Sequence, residues 1–171
     1  DRALKSYNNG VRAYDFLDFK SAENYFRTAI EIDSKFYEAY LMLGELFSKQ
    51  RRYDEAVVNY RRAVSLDSLF YKPVFFALAQ AELMTGRYSE ASAHYRIYLE
   101  LKTGNEKNRL VAEKNLKNCE FAINAMKKPV PFNPVNIGDS INTRDDEYWP
   151  SITADGQTLM FTRQINSGRS E

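Results

Sequence analysis

Residues 19–37 read FKSAENYFRTAIEIDSKFY, and residues 53–71 read YDEAVVNYRRAVSLDSLFY. Overlaid at an offset of 34, they agree in kind at Phe19/Tyr53, Ala22/Ala56, Phe26/Tyr60 and Ala29/Ala63. They agree again at the joint, where Asp33-Ser34-Lys35-Phe36-Tyr37 faces Asp67-Ser68-Leu69-Phe70-Tyr71. A third copy opens at Tyr88-Ser89-Glu90-Ala91, 35 residues after the second, with Tyr95 four beyond its alanine. Gly10 and Gly44 are also 34 apart. Several independent positions hold one register, so the chain repeats a unit instead of closing one globule.

Working outward, Asp33-Ser34 and Asp67-Ser68 are read as helix N-caps, because their side-chain oxygens accept orphan backbone N–H groups. With those caps the spacing predicts helix pairs at 2–16 with 18–32, 36–50 with 53–66, and 71–85 with 88–101. Turns of about two residues make each pair antiparallel. Gly10, Gly44 and Ala79 fall inside first helices, and Ala22, Ala56 and Ala91 inside second helices, where a larger side chain would hold paired helices apart. Phe26, Tyr60 and Tyr95 are then the bulk that fills the space between successive hairpins.

A small residue early in the first helix, Tyr or Phe before x-x-Ala at the start of the second, an aromatic four later and Ala three after that resemble the tetratricopeptide repeat (TPR) signature. The resemblance covers residues 3–101. It implies a right-handed superhelix of three helical hairpins and a protein-binding role without catalysis. Departures from the pattern are Tyr40 and Phe75 where Trp is common, Ser34 and Ser68 where a late Pro is common, and Ala79 and Tyr98 in the third unit for Gly and Ala.

After the repeats, Leu110, Val111, Leu116, Cys119, Ala122, Ile123 and Met126 recur at helical steps, predicting an amphipathic helix over 105–126 that caps the open end of the stack. Three prolines at Pro129, Pro131 and Pro134 then prevent further helix. Tyr148–Thr153 and Thr158–Thr162 have strand composition and flank Ala154-Asp155-Gly156-Gln157, whose Asp-Gly pair signals a β-hairpin. The expected organisation is therefore a mainly all-α chain: a TPR domain with capping helix at 1–127, an extended linker at 128–147, and strands at 148–171.

The run from Asp146 to Thr162 resembles the opening of a TolB-like β-propeller blade, so the hairpin is expected to be a propeller fragment. A blade needs four strands, so the protein is expected to continue past Glu171, and Asp1 in place of Met marks a processed form or an excerpt. The order of TPR, linker with Asn136-Ile137-Gly138-Asp139-Ser140-Ile141-Asn142, and hairpin is similar to a family of Bacteroidetes envelope proteins. In these a propeller and an OmpA-like peptidoglycan-binding domain follow, and they include PorE-type lipoproteins of the type IX secretion system. That resemblance implies the periplasm, association with the outer membrane through a lipidated N-terminus, and contact with peptidoglycan through a C-terminal domain beyond this chain.

Bulk composition narrows the partners. Lys and Arg total 24 against 23 Asp and Glu, a net charge of +1, so no basic field draws the chain to nucleic acid. The most apolar stretch, Val74–Ala79, is far shorter than the ~18 residues of a membrane span, so direct insertion by this chain is not expected. Twelve Tyr, eleven Phe and one Trp suit helices held by large interlocking side chains. Cys119 is the single cysteine, which excludes an internal disulfide and is read as a small buried side chain.

Chemistry is sparse. His94 is the single histidine, which excludes a multi-histidine metal site and is read as a surface or satisfied residue. Seven glycines form no phosphate-cradling loop, and Asp145, Asp146 and Glu147 lack calcium-loop spacing and are read as solvated carboxylates. Arg51-Arg52 and Arg61-Arg62 are read as a charged outer face. No catalytic residue, cofactor or metal is assigned, and the chain is not read as an enzyme.

In TPR stacks the first helices line the concave surface, and counting from the motif places Tyr7, Val11, Tyr14, Leu41, Glu45, Ser48, Phe76, Gln80 and Leu83 there. Relatives that bind chaperone tails hold a terminal carboxylate with a Lys and Asn set. The matching positions here are Tyr7 and Val11, so an apolar extended or helical protein segment is the expected ligand. Some of these aromatics are equally readable as core. The segment around Pro129–Pro150 is expected to dock in part along the stack. The expected function is a non-catalytic envelope scaffold that binds protein, and the alternative is a cytoplasmic TPR co-chaperone or adaptor.

Overall fold

Three helical hairpins follow one another from the N-terminus: α1 (Arg2–Asp15) with α2 (Phe19–Ile32), α3 (Tyr37–Lys49) with α4 (Tyr53–Leu66), and α5 (Val74–Met84) with α6 (Tyr88–Glu100). A longer helix, α7 (Glu106–Lys127), completes this part. The computed structural model describes residues 2–67, 71–102 and 104–129, and then 135, 138, 141, 146–153 and 156–164. The chain divides into two units, Asp1–Pro129 and Val130–Glu171. The expected extended linker at 128–147 and its docking fall largely outside the described residues, as do Ser68, Ala154, Asp155 and the end of the expected strands.

Among the described residues, helices α1 to α7 pack only on elements one or two places away in sequence: each on its successor, and α1 on α3, α3 on α5, α5 on α7. That stepwise pattern is a repeat stack, with one buried cluster that runs along it from Tyr14 to Cys119. The first helices α1, α3 and α5 form one row. Ala22, Ala56 and Ala91 are fully buried. Phe26, Tyr60 and Tyr95, expected to fill the space between successive hairpins, are buried against the first helix of their own hairpin, at Tyr7, Ser48 and Phe76 respectively. Gly10 and Gly44 are what let those rings in. A Cβ on Gly10 would stand 2.6 Å from Phe26 Cε1, and one on Gly44 would stand 2.5 Å from Tyr60 Cδ1.

The turns inside the hairpins share one geometry. Leu17, Arg51 and Gly86, one per repeat, all take positive φ, at 61°, 60° and 75°. In each, the next backbone N–H reaches five residues back: Asp18 to Ala13, Arg52 to Phe47 and Arg87 to Glu82, at 2.9, 2.8 and 2.9 Å. This is the Schellman closure, which favours glycine at the left-handed position. Only the third repeat supplies it.

The expected caps are corrected. Asp33 and Asp67 end α2 and α4, their backbone N–H groups bonding Ala29 and Ala63 carbonyls, and Asp33 Oδ1 accepts from the Lys35 N–H at 2.9 Å. Side-chain caps sit instead at Asp18, accepting from Ser21 N at 3.1 Å, and Asn105, accepting from Asn108 N at 2.8 Å. Helix α5 begins at Val74 and not at 71, because Pro73 holds φ at −59° as the N-cap and disfavours helical backbone at Lys72.

On α7, Ala112 and Cys119 are buried and Leu116, Ala122 and Ile123 half-buried, as a cap requires, and burial pushes the Cys119 thiol up from its ordinary value. Leu110 and Met126, expected on that inner face, are exposed, as is Phe121. Among the described residues no helix is long and apolar enough to cross a membrane.

In the second unit β1 (Asp146–Ile152) pairs antiparallel with β2 (Leu159–Gln164), with Ser151 opposite Met160 and Ile152 opposite Leu159. The register breaks between Tyr148 and Ser151, around Pro150, which has no N–H to give to the ladder. Thr153 N–H bonds Thr158 O at 3.0 Å and Gly156 takes φ of 71° to turn the chain. The structure thus holds a two-stranded hairpin.

Candidate functional site

The nine residues expected on the concave face lie on α1, α3 and α5, and the structure treats them unequally. Tyr14 is buried; Tyr7, Val11, Leu41, Ser48, Phe76 and Leu83 are half-buried; Glu45 and Gln80 are exposed. Tyr7, Val11, Leu41, Phe76 and Leu83 also pack against the core cluster, so they serve the fold as well as any surface. The Tyr7 ring packs against Phe26 at 5.8 Å and edge-on to Phe36 at 5.2 Å. Phe76 packs against Tyr98 at 5.2 Å and Tyr95 at 6.1 Å.

Two arrangements emerge along the row. In the first, Tyr14 of α1 donates from its hydroxyl to Glu45 Oε1 of α3 at 2.8 Å, tying repeat one to repeat two. Burial, then this bond to a carboxylate, raises the Tyr14 hydroxyl far above the ordinary phenol range. Lys49 places its ammonium 4.9 Å from the centre of the Tyr14 ring.

In the second, Ser48, Gln80 and Leu83 line one cavity of about 330 Å³ together with Tyr53, Tyr60, Ala77, Ala81, Met84 and Asn115. Ser48 Oγ donates to the Tyr60 hydroxyl at 3.4 Å, and burial pushes Tyr60 up to about 12. Asn115 of α7 donates from Nδ2 to the Tyr95 hydroxyl at 3.0 Å. The cavity thus has an apolar floor with neutral hydroxyl and carboxamide groups at its edge. Tyr53, Tyr60, Met84 and Asn115 were not anticipated. The signal for Asn115 was available, since it is a polar residue on the inner stripe of α7 between Ala112 and Cys119.

A separate cluster clamps the last two hairpins. Glu82 of α5 has no exposed surface; its Oε1 accepts from Arg61 Nε at 3.1 Å and Nη2 at 2.8 Å, and its Oε2 lies 2.6 Å from His94 Nδ1. His94 is thus a satisfied histidine, stacked on Phe75 at 6.1 Å. No ligand can reach a fully buried carboxylate, so the cluster is structural. Arg52 likewise departs from the expected solvated face: it bonds Glu23 at 3.0 Å and Glu55 at 2.6 Å, and its guanidinium lies over the Phe47 ring at 4.3 Å. The hydrogen bond between them, and then their opposite charges, raise Arg52 and lower Glu55 from their ordinary values. Arg87 repeats the reach by bonding Asp54 at 2.8 Å. Among the described residues, no group of three or more His, Cys, Asp or Glu could hold a metal ion.

Compared with known proteins, residues 7–69 and 41–106 match the tetratricopeptide repeat family model. No curated protein matches the sequence. Solved structures show the same fold. The Arabidopsis OM64 TPR domain is 23% identical with a TM-score of 0.61, covering 68% of this chain and 95% of that one. The first TPR of Spaghetti (RPAP3), bound to the HSP90 peptide SRMEEVD, is 17% identical with a TM-score of 0.62, covering 72% and 94%. The Yersinia enterocolitica type III secretion chaperone SycD, in complex with a peptide of the translocator YopD, is 18% identical with a TM-score of 0.59, covering 69% and 92%.

Proposed function

The chain belongs to the tetratricopeptide repeat family, and from that premise we propose that it is a non-catalytic protein-interaction scaffold whose first-helix face receives a segment of another protein. The observation that carries this reading is the cavity where Ser48, Gln80 and Leu83 meet, about 330 Å³ and mostly apolar with neutral polar edges. Such a space suits one or two side chains of a bound segment. Two neighbours of the same fold, Spaghetti and SycD, hold peptides, which supports a peptide segment as the ligand. The stack is taken to wind in the right-handed sense of the family.

The test is site-specific photocrosslinking from Gln80, Leu83 and, as an outward control, Val58, in the intact protein in its native cell. Crosslinks to one defined partner segment from the first two positions and not from Val58 are expected. Equal crosslinking from all three, or none from Gln80 and Leu83, ends the reading.

The scaffold is further assigned to the bacterial envelope, in the periplasm and outer-membrane associated, where it links an outer-membrane or secretion complex to peptidoglycan through domains beyond this chain. Support comes from the hairpin after the helical stack, whose Pro150-Ser151 and Gly156 positions resemble the opening of a TolB-like propeller blade. Fractionation of the native cell checks it: co-sedimentation with outer-membrane markers is expected, and recovery with cytoplasmic markers would sink it. The co-chaperone reading is favoured by the HSP90 peptide on Spaghetti. Tyr7 and Val11 at the carboxylate-holding positions weigh against it.

A further inference from the structure

We infer that the segment received on this face presents a Lys or Arg side chain to Glu45, beside the apolar groups that enter the cavity, and is not an acidic C-terminal tail. The inference rests on the reading of this face as a protein-binding surface and names the chemistry of its ligand.

Glu45 stands on α3 one turn before Ser48, which lines the cavity. It is exposed, yet its position is held, because Oε1 takes the hydroxyl proton of Tyr14 from the neighbouring repeat at 2.8 Å. That partner is neutral. The Tyr7, Tyr14 and Tyr60 hydroxyls are all pushed up, by burial first and by Glu45 in addition, so three protonated phenols share the field of this carboxylate and none cancels its charge. Glu38, two turns earlier on the same helix, adds a second negative charge beside Tyr7. The cation on this flank, Lys49, is exposed and lies over the Tyr14 ring at 4.9 Å.

An acidic tail arriving here would meet Glu38 and Glu45, with Tyr7 and Val11 offering it no cation. A lysine or arginine gains the oriented carboxylate, and its methylene stem can lie on the apolar floor formed by Leu83 and Met84. Ser48, Gln80 and Asn115 supply neutral hydrogen-bonding groups that fit either a backbone or a polar side chain.

The experiment is fluorescence anisotropy of the full chain with three labelled peptides: a Leu/Ala peptide bearing lysines, the same peptide with glutamates in their place, and SRMEEVD. The lysine peptide is expected to bind about tenfold tighter than the other two. Glu45→Gln, which keeps an oxygen for the Tyr14 hydroxyl, should weaken it about fivefold, and Glu45→Lys should invert the preference. Equal binding of the lysine and glutamate peptides, both lost in Gln80→Trp, overturns the inference and leaves the proposed function standing. So does tighter binding of SRMEEVD, or failure of all three peptides while Gln80 still crosslinks to a partner. No peptide binding together with no crosslinking from Gln80 or Leu83 overturns both.

Discussion

Arg61 on α4 gives two hydrogen bonds to Glu82 on α5, whose carboxylate has no solvent-exposed surface. Arg61 itself is half exposed, so the pair is an anion taken out of water and a cation left at the edge. His94 on α6 completes the coordination, and three consecutive helices are joined at one carboxylate.

Removing one member of such a group leaves a buried charge short of partners, which is the costly direction. Arg61→Ala is expected to lower stability by ~2–3 kcal/mol, read as a drop in the urea midpoint. Arg62→Ala, one residue away, serves as the control and should change little. A loss below ~0.5 kcal/mol in Arg61→Ala would show that the bond contributes no more than a surface pair.

Gly44→Ala should destabilise although alanine is the better helix former by about 1 kcal/mol. The added methyl would lie 2.5 Å from Cδ1 of the buried Tyr60 ring, and overpacking costs about 1–3 kcal/mol. The check is thermal unfolding of Gly44→Ala beside Gly44→Ala/Tyr60→Leu. The single variant should melt several degrees lower, and the double variant should not pay that methyl clash a second time. A single variant that melts higher than the parent contradicts the close approach.

Leu17→Gly and Arg51→Gly should do the opposite. Both residues hold left-handed backbone at φ of 61° and 60°, which costs a side-chain-bearing residue about 1–2 kcal/mol. Glycine loses part of that gain through its looser unfolded chain, so a net rise of about 0.5–1 kcal/mol is expected. Gly86→Ala is the mirror experiment at the equivalent turn and should lose stability. Chemical denaturation of the three variants decides.

Alkali should unfold the helical stack. Burial raises Tyr37, Tyr60 and Tyr95 from 10.0 to about 12 in the folded chain. Between those values the unfolded chain has released protons that the folded chain keeps, so stability is intact below about pH 10 and falls as pH rises toward 12. Absorbance of phenolate followed together with circular dichroism should show exposed tyrosines ionising first. The buried group should ionise only as helix is lost; full titration of all tyrosines with helix retained would contradict this.

How much of this was legible in the sequence follows from what repeats and what does not. Positions such as Ala22, Ala56 and Ala91 recur because every hairpin needs them, and they located six helices to within a few residues. The caps were misread because Asp33 and Asp67 serve both ends of a joint equally well on paper, and only the backbone decides that they terminate. Leu17 and Arg51 give no hint of left-handed geometry, since the usual glycine appears only at Gly86. Glu82 was visible in principle: it falls with Phe75, Leu78 and Ala79 on the inward stripe of α5, a carboxylate on an apolar face that requires a cation. Its partners Arg61 and His94 lie 21 and 12 residues away, where no local pattern reaches. On the candidate face, the register put all nine residues on the first helices, and three of them, Ser48, Gln80 and Leu83, line one cavity. It could not distinguish Tyr14, buried and bonded to Glu45, from Gln80 at the edge of an open cavity, because that depends on how far each helix leans on its neighbour.

Because helices α1 to α7, among the described residues, touch only elements one or two places away, no long excursion of the stack has to close before contacts reward it. Folding can therefore start in any hairpin and spread to its neighbours quickly. The same locality means that a pulling force applied at the ends would peel this unit hairpin by hairpin, with a sawtooth of small steps in place of one global rupture.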